Sequence, residues 1–232
     1  MKIIKQKSTQ IIMLPHEQLP FEMLANRKYF ELLIQRYSFG QVDQIRDPNG
    51  TMSSLLFSNG LYHVESSPDV AIQRLSVESR KVVIAIEGAT SYAEKMWGEI
   101  REALHVVTPT NDNNDLTPVL VTNESEIMAH LDFPAGAFFS SPFDDFFQKE
   151  VIEKTSSSLA TSHIGSSGVS FSIDYVPETD MPNDRRINLV RKEFNIKTAI
   201  GYPVNDQIYS SSGPISTDVH IDLLQHLEKI LK

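Results

Sequence analysis

The chain has 232 residues, 41% hydrophobic and 22% charged, enough for one large domain or two small ones with a core and not the composition of a disordered chain. Its formal charge of −9 argues against a broad nucleic-acid surface, because that affinity comes from clustered Lys and Arg. With no cysteine, disulfides, thiol nucleophiles and cysteine-ligated zinc or iron–sulfur sites are excluded.

Lys2 to Leu14 alternates polar and apolar residues as a first strand would. The stretch carries Lys2, Lys5 and Lys7 but lacks the apolar core of about 7–15 residues that a secretory signal needs. No run approaches the length of a membrane span, so a cytoplasmic protein without membrane contact is expected. The glycosylation pattern Asn123-Glu124-Ser125 is then a chance match.

Pro15 and Pro20 bracket a turn, and Pro20 suits the first position of a helix. From Phe21, residues Leu24, Phe30, Leu33, Ile34 and Tyr37 recur at helical spacing. Gly40 to Gly50, with Asp47-Pro48-Asn49-Gly50, reads as a loop and turn. Thr51–Phe57 and Leu61–Glu65 flank Ser58-Asn59-Gly60, a hairpin signal. Val70–Val77 and Lys81–Glu87 form a further pair. Thr90 to Leu104 places Tyr92, Ala93, Met96, Trp97, Ile100, Ala103 and Leu104 on one helix face.

Residues 108–118 are polar and aperiodic and read as a linker between halves 1–107 and 119–232. Asp112 and Asp115 lack the spacing and the closing glutamate of an EF-hand calcium loop. Beyond it, Val119–Thr122 and Ile127–Phe133 read as strands. Ser141-Pro142-Phe143-Asp144-Asp145 opens a helix burying Phe146, Phe147, Val151 and Ile152. Val169 to Val176 alternates as a strand, and Ile196–Tyr202 and Ile208–Ser211 are two more. Arg185 to Asn195 is ambiguous: Ile187, Val190 and Phe194 favour a helix slightly, the first half a strand. Thr217 to Leu231 closes the chain as a helix whose apolar face comprises Val219, His220, Leu223, Leu224, Leu227, Ile230 and Leu231.

That face repeats the one at Thr90–Leu104, and Pro20-Phe21-Glu22 matches Pro142-Phe143-Asp144. The expected fold is therefore α+β, an internally duplicated unit of strand, helix, antiparallel strands and helix, with helices on one face of the sheets. A saddle like the TATA-binding-protein fold and the bacterial effector-binding fold both satisfy that topology. Neither is tied to a residue motif here, and topology does not imply function.

No phosphate-binding loop, dinucleotide fingerprint, His-Glu-x-x-His or Gly-x-Ser-x-Gly elbow occurs; Gly165-Ser166-Ser167-Gly168 reads as a turn. Asp218, Asp222 and His226 have a metal-like spacing but should face solvent, so no metal and no cofactor are expected. His220 on an apolar face reads as a core or cleft histidine satisfied by a backbone carbonyl, or as a polar group placed in a cavity. His130, His163 and Asp132 are the other acid–base candidates, and Arg185-Arg186 the candidate anion clamp. Phe138-Phe139 with Phe143, Phe146 and Phe147 reads as core, or as a partner surface where exposed. The resulting expectation is a non-catalytic homo-oligomeric protein presenting a concave surface to a protein partner or small molecule, with nucleic acid the least expected partner. The alternative is an enzyme with His130, His163, Asp132 or His220 in a cleft between halves.

Overall fold

The computed structural model describes residues 1–15, 27–50, 52–64, 68–78, 80–107, 116–138, 168–173 and 192–232. In chain order these form β1 (Lys2–Met13), α1 (Arg27–Tyr37), β2 (Gln41–Arg46), β3 (Met52–Tyr62), β4 (Val70–Glu78), β5 (Lys81–Ile86), α2 (Thr90–Val107), β6 (Leu120–His130), β7 (Gly168–Ile173), β8 (Lys192–Thr198), β9 (Ile208–Gly213) and α3 (Thr217–Leu231). The fold is α+β and dominated by one nine-stranded sheet in the order β2-β3-β4-β5-β1-β6-β9-β8-β7. Every neighbouring pair is antiparallel.

Strand alternation decides which face is covered. Ser8, Gln10 and Ile12 on β1, Ser125, Ile127 and Ala129 on β6, and Tyr209 and Ser211 on β9 are buried. Their neighbours in sequence point the other way. The buried side is the helix side: α2 lies over β1 and β5, α3 over β6, and α1 over α2 and β3. Two hydrophobic clusters result among the described residues. The larger joins α1 and α2 to β1 and β3–β5 through Tyr29, Leu33, Leu55, Phe57, Ile84 and Met96. The smaller gathers Ile127, Leu131, Phe133, Ile196, Tyr209 and Leu224. Phe138 packs there, 5.2 Å from the Phe133 ring, while Phe139, Phe143, Phe146 and Phe147 lie outside the described residues.

A carboxylate fastens α1 in place. Glu99 on α2 accepts from Arg36 Nε (2.9 Å), Tyr37 Oη (3.0 Å) and Tyr62 Oη (3.0 Å). Burial and then the Glu99 hydrogen bond push the Tyr62 hydroxyl up to about 12, and Tyr37 shifts the same way.

Several expectations are corrected. Gln41–Arg46 is a strand rather than a loop, because β3 offers it a partner in register; only Asp47–Gly50 turns, closed by Gly50 N–H on the Asp47 carbonyl at 2.9 Å. Asn59-Gly60 makes no hairpin. β3 runs through it in one register with β4, from Ser54 to Tyr62, Asn59 absorbing a left-handed φ of 57°. The glycine is needed for a different reason: a Cβ at Gly60 would lie 2.6 Å from the Phe39 ring and 3.0 Å from the Tyr37 carbonyl oxygen. Leu120–His130 is one strand, not two. Residues 192–195 belong to strand β8, not a helix: pairing with β7 and β9 buries Phe194 and Ile196 at a period of two. Residues 185–191, and the helix expected at 141–154, lie outside the described residues.

The two expected long helices are present, but α3 buries only part of its expected face. Thr217, His220, Leu224 and Glu228 are buried, whereas Val219, Leu223 and Ile230 are exposed. Glu228 tolerates burial because the Met1 amine donates to it (2.7 Å), as does the Asp132 N–H (2.7 Å). Burial alone would raise its pKa, but these two bonds outweigh that and hold it below the usual carboxylate range.

Two glycines give opposite expectations. Gly60→Ala should cost about 1–3 kcal/mol in urea unfolding, since Phe39 must move. Gly98→Ala, inside α2 where an added Cβ meets nothing within 4 Å, should stabilise by about 0.5–1 kcal/mol. A neutral Gly60→Ala would contradict the close seating of Phe39.

Candidate functional site

Between the two hydrophobic clusters runs a polar seam. β1 and β6 pair at the middle of the sheet, with Ser8 opposite Ser125 and Gln10 opposite Asn123. α2 and α3 both begin near this level, and their first residues exchange hydrogen bonds. The Thr90 N–H donates to Thr217 Oγ1 (3.0 Å) and the Thr217 N–H to Thr90 Oγ1 (3.2 Å). Each helix thereby satisfies a backbone donor that the other would leave open.

His220, one turn into α3, is fully buried beneath the seam. Its Nδ1 lies 2.7 Å from Ser125 Oγ and its Nε2 2.8 Å from Ser211 Oγ. Ser211 spends its single proton on the Asn195 carbonyl, 2.8 Å away, so it accepts from His220 Nε2–H. Nδ1 is then the acceptor of the Ser125 hydroxyl. The ring is satisfied by two hydroxyls, not by the backbone carbonyl expected from the sequence. Phe194 closes the box edge-on, 5.2 Å from the imidazole and packed against Gly213, where a Cβ would not fit. Burial lowers the His220 pKa to about 4, so the ring is neutral at physiological pH.

A serine hydroxyl on an imidazole nitrogen is the contact of an activated nucleophile. Here Ser125 and Ser211 are each 1% exposed and His220 is 0% exposed, so no substrate reaches them. The network holds α3 to β6 and β9.

The opposite face of the sheet carries no helix among the described residues. Across β1 and β6 it presents Lys5, Lys7 and Thr9 beside Met128, Glu126 and Glu124, with Lys7 directly opposite Glu126. Three adjoining depressions, of about 250, 180 and 90 Å³, share Glu126 in their walls and extend to Ser210 and Ser212 on β9 and to Lys192. Lys5 pairs with Glu87 (3.2 Å), and Lys192 with Glu124. The hydrogen bonds of Lys5 and Gln73 hold the Glu87 carboxyl below the usual range. Both signs of charge stand within reach of a ligand on this face.

The acid–base candidates do not gather in one place. His130 ends β6 on the open face, whereas His220 lies on the helix side. Asp132 is exposed and paired with Lys232, which lowers its pKa, with a smaller contribution from His130. His163, Arg185 and Arg186 lie outside the described residues. Asp218, Asp222 and His226 are exposed. Ser125 and Ser211, the partners of His220, were missed by sequence reasoning, as were Lys7 and Glu126. Only the alternation of Lys5, Lys7, Thr9 and of Glu124, Glu126, Met128 could have signalled the open face.

No family model matches the chain, and no curated protein matches it. Among solved structures, the di-domain ARO/CYC StfQ from the steffimycin biosynthetic pathway is similar over 97% of this chain and 92% of that chain, at 9% identity and a TM-score of 0.21. A likeness that loose carries no argument about fold or function. No helix among the described residues is long and apolar enough to cross a membrane.

The buried histidine predicts a pH dependence. Its folded pKa lies below its unfolded value near 6.5, so below that pH the unfolded chain takes up a proton the native state refuses. Stability should fall as pH drops from about 6.5 to 4, this group accounting for about 3 kcal/mol at most. Urea unfolding at pH 7 and pH 4.5 checks it: His220→Gln should flatten that part of the profile. An unchanged slope in the variant would contradict the assignment.

Proposed function

We propose that this is a non-catalytic binding protein, a duplicated α+β scaffold whose open sheet face receives a protein partner or a small ligand. The reading is carried by one observation. The central strands β1 and β6 have one side sealed by helices, while the other side holds Lys5, Lys7, Glu126 and Glu124 around three adjoining depressions.

What supports duplication is an offset shared by the last strand and the last helix of each half. Thr90 and Thr217, 127 residues apart, exchange equivalent hydrogen bonds. The same offset takes Ile86 to Gly213, and these pair with Ser8 and Ser125, which in turn face each other. On this reading residues 1–107 and 119–232 are the two units and 108–118 joins them. The rival, an enzyme using His130, Asp132, His163 and His220 together, finds no support in the placement of His130 and His220 on opposite faces.

The test is to titrate isotopically labelled protein with a library of small polar fragments and tripeptides, following backbone amide shifts. Perturbations should cluster at Lys7, Thr9, Glu126, Met128 and Ser210. Glu126→Lys should weaken binding of the best fragment at least about tenfold, with unfolding unchanged. Perturbations confined to the helix side, or none at all, would sink the proposal.

A further inference from the structure

The exposed residues of α3 form a pattern. Val219, Leu223 and Ile230 are 54%, 41% and 67% exposed, and His226 is exposed as well. Their spacing of four, three and four is that of a helix–helix seam. At about 100° per residue the four fall within a narrow stripe, turned well away from the buried Leu224 and Glu228. Asp218, Asp222 and Lys229 lie along one flank of that stripe, and none has an ion-pair partner among the described residues.

We propose that this stripe is the interface with a second copy of the chain, the two α3 helices packing antiparallel about a two-fold axis. With the axis between Leu224 and Gln225, Val219 meets Ile230 of the second copy and Leu223 meets its His226. The same geometry sets Lys229 of the second copy level with the interval between Asp218 and Asp222. A two-fold relation repeats that contact at the other end. Parallel packing would instead bring the two acidic ends together, so the charge pattern selects the antiparallel arrangement. A single helix pair of this length is a small interface, of the size class of weak and transient associations. The open sheet faces point away from the interface, so the inference does not depend on what they bind.

Sedimentation equilibrium of the full chain from about 1 to 300 µM reads this directly. The mass should rise from 26.2 kDa toward twice that value. Leu223→Asp and Ile230→Asp should remain monomeric throughout. Asp222→Lys should weaken the dimer at least about tenfold, and adding Lys229→Asp to the same chain should restore it. These two exposed charges decide the matter even where Leu223→Asp fails to fold. A wild type monomeric over the whole range would overturn the proposal, as would a dimer indifferent to both sets of changes. A monomer whose unfolding midpoint drops with Leu223→Asp would also overturn it, and would assign the stripe to a contact within the chain.

Discussion

The structure depends on the pairing of β1 with β6. Lys2–Met13 and Leu120–His130 run antiparallel along nearly their whole length, with a single register shift between Ile3 and Lys5. This ladder joins sequence positions more than a hundred residues apart and makes one sheet out of two groups of strands. Its alternation also assigns the sides: Ser8, Gln10 and Ile12 face the helices, and Lys5, Lys7 and Thr9 face away. A slip of one residue would exchange them, exposing Ile12 and burying lysines.

The price of that ladder is a line of polar groups through the interior. Ser8, Gln10, Ser125, Thr90, Thr217, Ser211 and His220 are all buried where apolar side chains would have fused the two clusters. Most of them are matched in pairs or threes, which is what burial of polar atoms demands. The exchange between Thr90 and Thr217 also places the N-terminal ends of two helices side by side, an arrangement that leaves backbone donors in need of partners. The seam gives directionality where a purely apolar contact would let the helices slide.

Among the described residues the helices cover one side of the sheet, and the same alternation decides which side that is. A face closed by α1, α2 and α3 supplies the core, and the face left over must be polar to stay in water. On β1 and β6 that polarity takes the form of facing lysines and glutamates. On β9, beside β6, lies the serine run Ser210-Ser211-Ser212. Of these, Ser211 alone turns inward, and His220 accounts for it.

Elements whose periodicity is local and uninterrupted are readable from the amino-acid order alone. Thr90–Leu104, which the structure extends to Val107, and Thr217–Leu231 were legible as helices because a 3.6-residue repeat persists over four turns, and Lys2–Leu14, observed as Lys2–Met13, as a strand because its alternation does. His220 could be singled out as a polar residue on an apolar face. Its partners could not, since Ser125 and Ser211 reach it from strands 95 and 9 residues away. The remaining elements depend on long-range pairing. Gln41–Arg46 became a strand, and Asn59-Gly60 remained inside one, because neighbouring strands offered hydrogen bonds that outweigh local turn preference. Residues 192–195 joined β8 for the same reason. The helical pattern of α3 was read correctly while its buried arc was not, because period locates an apolar stripe but only the sheet beneath it selects which part is covered.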